Sequence, residues 1–155
     1  DWGSQISTFL SPDMFEEFFL PHYKKIYGYY KTHGCQVIMH HSDSYAKTLV
    51  PFMIDMGIDI WQGVMRTNDI EELIPKYGDQ ITFMGGIDSA TIDYPDWNEE
   101  VVAERVREAC EKYGRFGKAY IPCASQGLPM STFPGVYEAT SKYIDMMSKE
   151  MFPRK

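Results

Sequence analysis

Short apolar runs that stop abruptly in polar or turn-forming residues, each followed by a helical pattern, recur along this chain and restrict the folds open to it. The clearest is Val37-Ile38-Met39-His40-His41-Ser42-Asp43-Ser44. A buried parallel strand reads this way when it delivers polar side chains to its C-terminal end and hands over to a helix. Further strands are expected over Gln36–His40, Ile58–Gln62, Gln80–Met84 and Lys118–Ile121. The residues Asp1 to Gln5 read as the tail of another strand.

Helical patterns fill the intervals. Ser11-Pro12-Asp13 is a start signal, with a capping hydroxyl, proline at the first helical position and an acid in the first turn. Phe15, Phe18, Phe19, Ile26 and Tyr30 continue that helix, which Pro21 should bend or break. Tyr45–Met56 is the next helix, stopped by Gly57. Asn68-Asp69-Ile70-Glu71 resembles a capping box and opens a short helix ending near Tyr77-Gly78. The helix Glu99–Tyr113 buries Val102, Val106 and Ala109 and shows solvent a charged face. Pro134 opens the last helix. Such alternation means an α/β fold of parallel βα repeats, its sheet covered by helices. Right-handed crossovers leave two candidates, an open doubly wound sheet or a (β/α)8 barrel. A barrel needs about 250 residues, so 155 residues supply about half. No strand is followed by a Gly-x-Gly-x-x-Gly or Walker pattern, which weakens a nucleotide-binding reading.

Composition narrows the partners. A net charge of −7 argues against a nucleic-acid backbone or an anionic membrane. There is no apolar run long enough to span a bilayer. Three separated cysteines, Cys35, Cys110 and Cys123, read as reduced thiols in a cytoplasm, with Cys35 and Cys110 as inert core residues. The opening Asp1 suggests part of a longer chain or a processed domain.

Parallel strands bring their C-terminal ends together. Asp1, Gln5, His40, His41, Asp43, Gln62, Asp88, Cys123, Ser125 and Gln126 should therefore meet at one rim. His41, Asp43 and Cys123 offer imidazole nitrogen, carboxylate oxygen and thiolate sulfur, a donor set suited to zinc. Asp1, Gln5 and Asp88 are the candidate catalytic groups beside them. Plainer readings compete: Asp43-Ser44 as a helix cap, Asp88-Ser89 as a turn, and Cys123 as a small core residue.

His41-Ser42-Asp43 after an apolar strand, then a helix and Met56-Gly57-Ile58-Asp59, resembles the uroporphyrinogen decarboxylase superfamily. Asp1-Trp2-Gly3, Gly86-Ile87-Asp88 and the Pro122-Cys123 strand end also fall where that family has counterparts. The resemblance runs over nearly the whole chain and implies the C-terminal half of a (β/α)8 barrel as one partial domain. It implies one of two chemistries. Decarboxylases of porphyrin biosynthesis act without cofactor, through residues of the N-terminal half. Methyltransferases of the other branch bind zinc through a His-x-Cys element and a later Cys, and exchange methyl groups with a corrinoid carried on a partner protein. His41 matches the histidine and Cys123 the later cysteine, while Asp43 and Ser44 replace the usual Cys and Gly. A carboxylate in that place makes zinc a better Lewis acid, which favours activating a methyl donor, as in O-demethylation. The rival expectation is a half barrel without activity of its own, paired with its N-terminal half or with a second copy.

Overall fold

The structure is a computed structural model and describes residues 1–125 and 129–153. Gln126 lies outside them. Six α-helices and four strands are described: α1 Pro12–Phe18, α2 Leu20–Thr32, β1 Met39–His41, α3 Val50–Asp55, β2 Ile60–Val64, α4 Ile70–Tyr77, β3 Thr82–Ile87, α5 Glu99–Gly114, β4 Tyr120–Ala124 and α6 Val136–Met151. The strands form one sheet in the order β1-β2-β3-β4, every neighbouring pair parallel. Sequential order with a helix in each crossover is the arrangement of half a (β/α)8 barrel. A doubly wound sheet would reverse its strand order at a switch point, and this sheet does not.

The helix starts follow local chemistry. The Ser11 hydroxyl accepts from the Met14 N–H at 3.2 Å, and Pro12 leads α1. The α1–α2 break falls at Phe19, two residues before Pro21, because proline fits the first turn of a new helix better than the interior of an old one. Asn98 caps α5, its side-chain oxygen accepting from Glu100 and Val101. Gly135 starts α6 at φ +90°, one residue after Pro134.

The two faces of the sheet differ. Cross-strand register puts His40, Trp61, Phe83 and Tyr120 on the helix side. Trp61 and Phe83 are fully buried there, with ring centroids 6.2 Å apart. His41, Gln62, Met84 and Ile121 form a row on the other side. That side is open: Met39 is 58% exposed and Ile121 37%. No helix among the described residues is long and apolar enough to cross a membrane.

Several expectations need correction. Asp1 to Gln5 is not a strand tail but one arm of a tight hairpin, with an antiparallel bridge between Gly3 and Thr8 and the Phe9 N–H bonded to the Trp2 carbonyl at 2.9 Å. Gln5 is exposed in its turn. Lys47–Leu49 forms a 3-10 turn before α3, so that helix starts at Val50 rather than Tyr45. Each strand starts two or three residues later than expected and ends one to three residues later, because the residues that follow the expected end still belong to the ladder. Cys35 is exposed, not in the core.

The expected capping box at Asn68 does not form. Asp69 is the cap residue of α4, in a left-handed conformation, and its side chain makes no cap bond. Asn68 is fully buried and serves another loop. Its Oδ1 accepts from the Ala46 N–H at 2.8 Å, and its Nδ2 donates to the Ser44 carbonyl at 3.0 Å.

His40 packs among aromatics. Its ring stacks on Trp2 at 4.1 Å, and Tyr27 Oη lies 2.6 Å from Nδ1. Nε2 is buried with no partner among the described residues. Burial, more than any neighbouring charge, pushes the imidazole down to about 4 from its ordinary 6.5.

Two outcomes follow. Asn68→Ala leaves a buried N–H and a buried C=O unpaired, and urea unfolding should show a loss of about 2–4 kcal/mol. The neutral His40 favoured by the fold stabilises it fully above the ordinary 6.5, and that contribution is lost as pH falls towards about 4. Urea midpoints measured from about pH 7 to about pH 4 should therefore fall more steeply for the wild type than for His40→Phe; parallel slopes would contradict the assignment.

Candidate functional site

The end of β1 is held from below. The Ser42 N–H donates to the Gln62 carbonyl at 2.9 Å, continuing the ladder one residue past the strand. The Trp61 Nε1–H donates to the Ser42 carbonyl at 2.8 Å from its buried position. The Ser42 and Ser44 hydroxyls, both buried, lie 2.8 Å apart. Asn68 holds the next turn at Ser44 and Ala46. With alternate residues pinned inward, His41 and Asp43 are left to face the rim.

The N-terminal hairpin supplies the third group. The Tyr45 N–H donates to the Ser4 carbonyl at 2.8 Å, and the Asp43 N–H donates to Asp1 Oδ1 at 3.0 Å. Gly3 permits this approach: a Cβ there would lie 2.5 Å from the carbonyl oxygens of both Ser7 and Tyr45. Asp1, His41 and Asp43 thereby place one ligand atom each within 4.8 Å of one another. His41 and Asp1 are exposed and Asp43 is half-buried.

Gln62 stands beside this cluster. His41 Nδ1 donates to Gln62 Oε1 at 2.5 Å. An amide oxygen can only accept, so the imidazole proton sits on Nδ1 and the Nε2 lone pair is left for another partner. Cys123 follows Ile121 by two residues in β4 and also bonds the Gln62 side chain. Burial pushes the Cys123 thiol up, and the Gln62 bond opposes that shift. His41 and Cys123 thus reach the same glutamine from strands at opposite edges of the sheet.

The remaining sequence candidates lie apart from the cluster. His40 turns to the helix side, since adjacent strand residues alternate. The Asp88 side chain caps the 3-10 turn Ser89–Thr91, accepting from the Ala90 N–H at 3.1 Å. Gln5 sits in the hairpin turn. Ser125 is buried, its N–H bonded to the Ile87 carbonyl at 2.8 Å. Cys110 is a buried thiol pushed up to about 11, as an inert core cysteine should be. The sequence places Gln62 at a strand end but gives it no role, because its partner His41 is distant in sequence. Only the β1–β2 register brings the two together.

Ion pairs reach only some of the acids, and several outside the cluster, such as Asp13 and Glu100, share none among the described residues. Asp55, Asp59, Asp69, Asp79 and Glu71 each carry a lysine or arginine partner. Among the described residues, the salt bridges reach neither Asp1 nor Asp43.

The donor set fits a small divalent cation. Zinc takes imidazole nitrogen and carboxylate oxygen at about 2.0–2.2 Å, which puts ligand atoms roughly 3.4 Å apart in a tetrahedron. The observed limit of 4.8 Å is within reach of modest side-chain rotations. A ligating histidine ordinarily donates its other ring N–H to a carbonyl or carboxylate, as His41 does to Gln62.

A search of curated proteins gives no match to the chain. The family model described as Uroporphyrinogen decarboxylase (URO-D) matches residues 3–146. That span contains β1 to β4, the hairpin from Gly3 onward, His41, Asp43, Gln62 and Cys123. With its parallel sheet in half-barrel order, the chain belongs to the uroporphyrinogen decarboxylase family.

Proposed function

We propose that this family member takes part in zinc-assisted methyl transfer to or from a corrinoid carried on a partner protein, with His41 and Asp43 as the central zinc ligands. The observation that carries the reading is the state of His41. Its Nδ1 proton is committed to Gln62, and two carboxylates without a basic side-chain partner stand within 4.8 Å. Asp1 is the third ligand suggested by proximity, and Cys123 the third suggested by the family resemblance. Bound there, zinc would supply Lewis-acid polarisation of a methyl donor's oxygen or nitrogen, or would hold a thiol as thiolate.

The chain's own residues have separate tasks. Gln62 keeps His41 in one tautomer. Trp61 and Asn68 keep the turn that carries Asp43 from moving. The exposed rim leaves His41 and Asp1 open to a ligand or a partner-borne cofactor. A donor set richer in carboxylate than in thiolate favours the methyl-donor side, since carboxylates donate less electron density to the metal than thiolates do and leave it the stronger Lewis acid.

Metal analysis by emission spectroscopy after zinc loading and exhaustive dialysis tests the reading. The wild type should retain about one zinc per chain, and His41→Ala and Asp43→Ala should each lose roughly tenfold or more in affinity with an unchanged circular dichroism spectrum. Equal zinc retention in His41→Ala and the wild type would refute the site. Cys123→Ser decides the third ligand: unchanged affinity gives the place to Asp1, and a matching loss gives it to Cys123.

A further inference from the structure

The ladder between β1 and β2 is regular through His41 and Gln62, but the one between β2 and β3 is not. The register between β2 and β3 shifts between Gln62 and Val64, so Gly63 is an extra residue in the strand. It adopts φ +89°, a conformation that side-chain-bearing residues rarely take. A bulge of this kind re-aims the side chains next to it. The side chain beside this one is His41. A Cβ on Gly63 would lie 3.1 Å from both Cε1 and Nδ1 of the His41 ring and 3.2 Å from the Ser42 carbonyl carbon. The bare Cα therefore makes room for the imidazole edge. On that same edge, Nδ1 donates to Gln62 Oε1 at 2.5 Å.

One dipeptide thus makes two contacts with one edge of the ring. Gln62 fixes which nitrogen carries the proton, and Gly63 leaves the space in which that edge lies. The opposite edge, bearing Nε2, is left for a ligand. A histidine packed for stability alone needs neither a fixed tautomer nor a left-handed residue in the neighbouring strand. Elsewhere β2 follows the ordinary alternation of a buried strand.

We infer that Gln62 and Gly63 form a positioning element for His41, locking its Nδ1–H tautomer so that Nε2 is the atom presented to a cation. The inference rests on the reading of His41 as a metal ligand, and extends it to residues that do not touch the metal. Gln62 is a positioning residue, not a ligand. Its substitution by leucine keeps bulk and removes the acceptor. Its substitution by glutamate restores an oxygen at the same reach.

Long-range proton–nitrogen NMR on the metal-free chain reads the tautomer directly, and four histidines make the spectrum assignable with His41→Gln as reference. The wild type should show His41 as the Nδ1–H form, Gln62→Leu should lose that form, and Gln62→Glu should regain it. Zinc titration against a competing chelator should then give a dissociation constant roughly 10–100-fold weaker for Gln62→Leu, restored in Gln62→Glu. A tautomer and affinity unchanged within about twofold in Gln62→Leu would overturn the inference. So would a weakened affinity that Gln62→Glu fails to restore while the tautomer stays put, because that pattern is loss of packing. If the tautomer responds to Gln62 but the wild type binds no zinc, positioning stands and the metal reading of the preceding subsection falls. Gly63→Ala gives an independent check: it should move the His41 ring resonances while leaving the distant His22 and His33 signals in place.

Discussion

Trp61 decides which of two adjacent histidines the rim receives. It lies fully buried beneath β2, level with His40 across the ladder, and its indole N–H holds the Ser42 carbonyl. Strand residues alternate faces, so anchoring Trp61 and His40 on the helix side sends His41 and Gln62 to the other. A slip of one residue in this pairing would bury His41 against Trp2 and Tyr27, where His40 now packs, and expose His40 instead. The fully buried indole makes such a slip expensive, since burial of a large aromatic ring contributes several kcal/mol. The chemistry of the rim therefore rests on a residue that never reaches it.

Much of the architecture could be read from the chain. Ser11-Pro12 announces a helix by chemistry confined to one turn, and that helix appears where expected. Strand order followed from the family resemblance, and strand existence was legible because each apolar run of a parallel sheet is buried on its helix side. Strand ends were not. An apolar-to-polar boundary marks where one face begins to carry function, not where the backbone stops pairing. His41, Gly85 and Gly86 all remain in the ladder. Asn68 misled for a different reason: its amide satisfies a loop two elements away, a demand invisible to a local cap pattern.

The candidate site was legible by residue type and less so by partnership. His41 and Asp43 stand out as polar groups after an apolar strand, and they do lie together. Asp1 joins them through a hairpin rather than through a strand, because Gly3 lets two backbones approach where any side chain would collide. Gln62 could be placed at the rim but not given a role, since a single glutamine in a strand is unremarkable until register sets it against an imidazole. Cys123 shows the limit of spacing: its strand end is correct, but β2 and β3 stand between it and β1, and contact with the His41 side runs through Gln62.

The open row of the sheet adds a constraint on what can bind. Read across the strands at one level, it runs His41, Gln62, Met84, Ile121. The β1–β2 end is polar and hydrogen-bonded; the β3–β4 end is apolar. A ligand lying across this row meets imidazole and carboxylates at one end and a thioether and an aliphatic chain at the other. Apolar contact contributes area-dependent affinity without direction, while the polar end sets orientation. A compact, wholly charged ligand would leave Met84 and Ile121 uncovered, and a wholly apolar one would desolvate Asp1 and Asp43 without compensation. The row therefore suits a ligand with an apolar body and one polar end near His41.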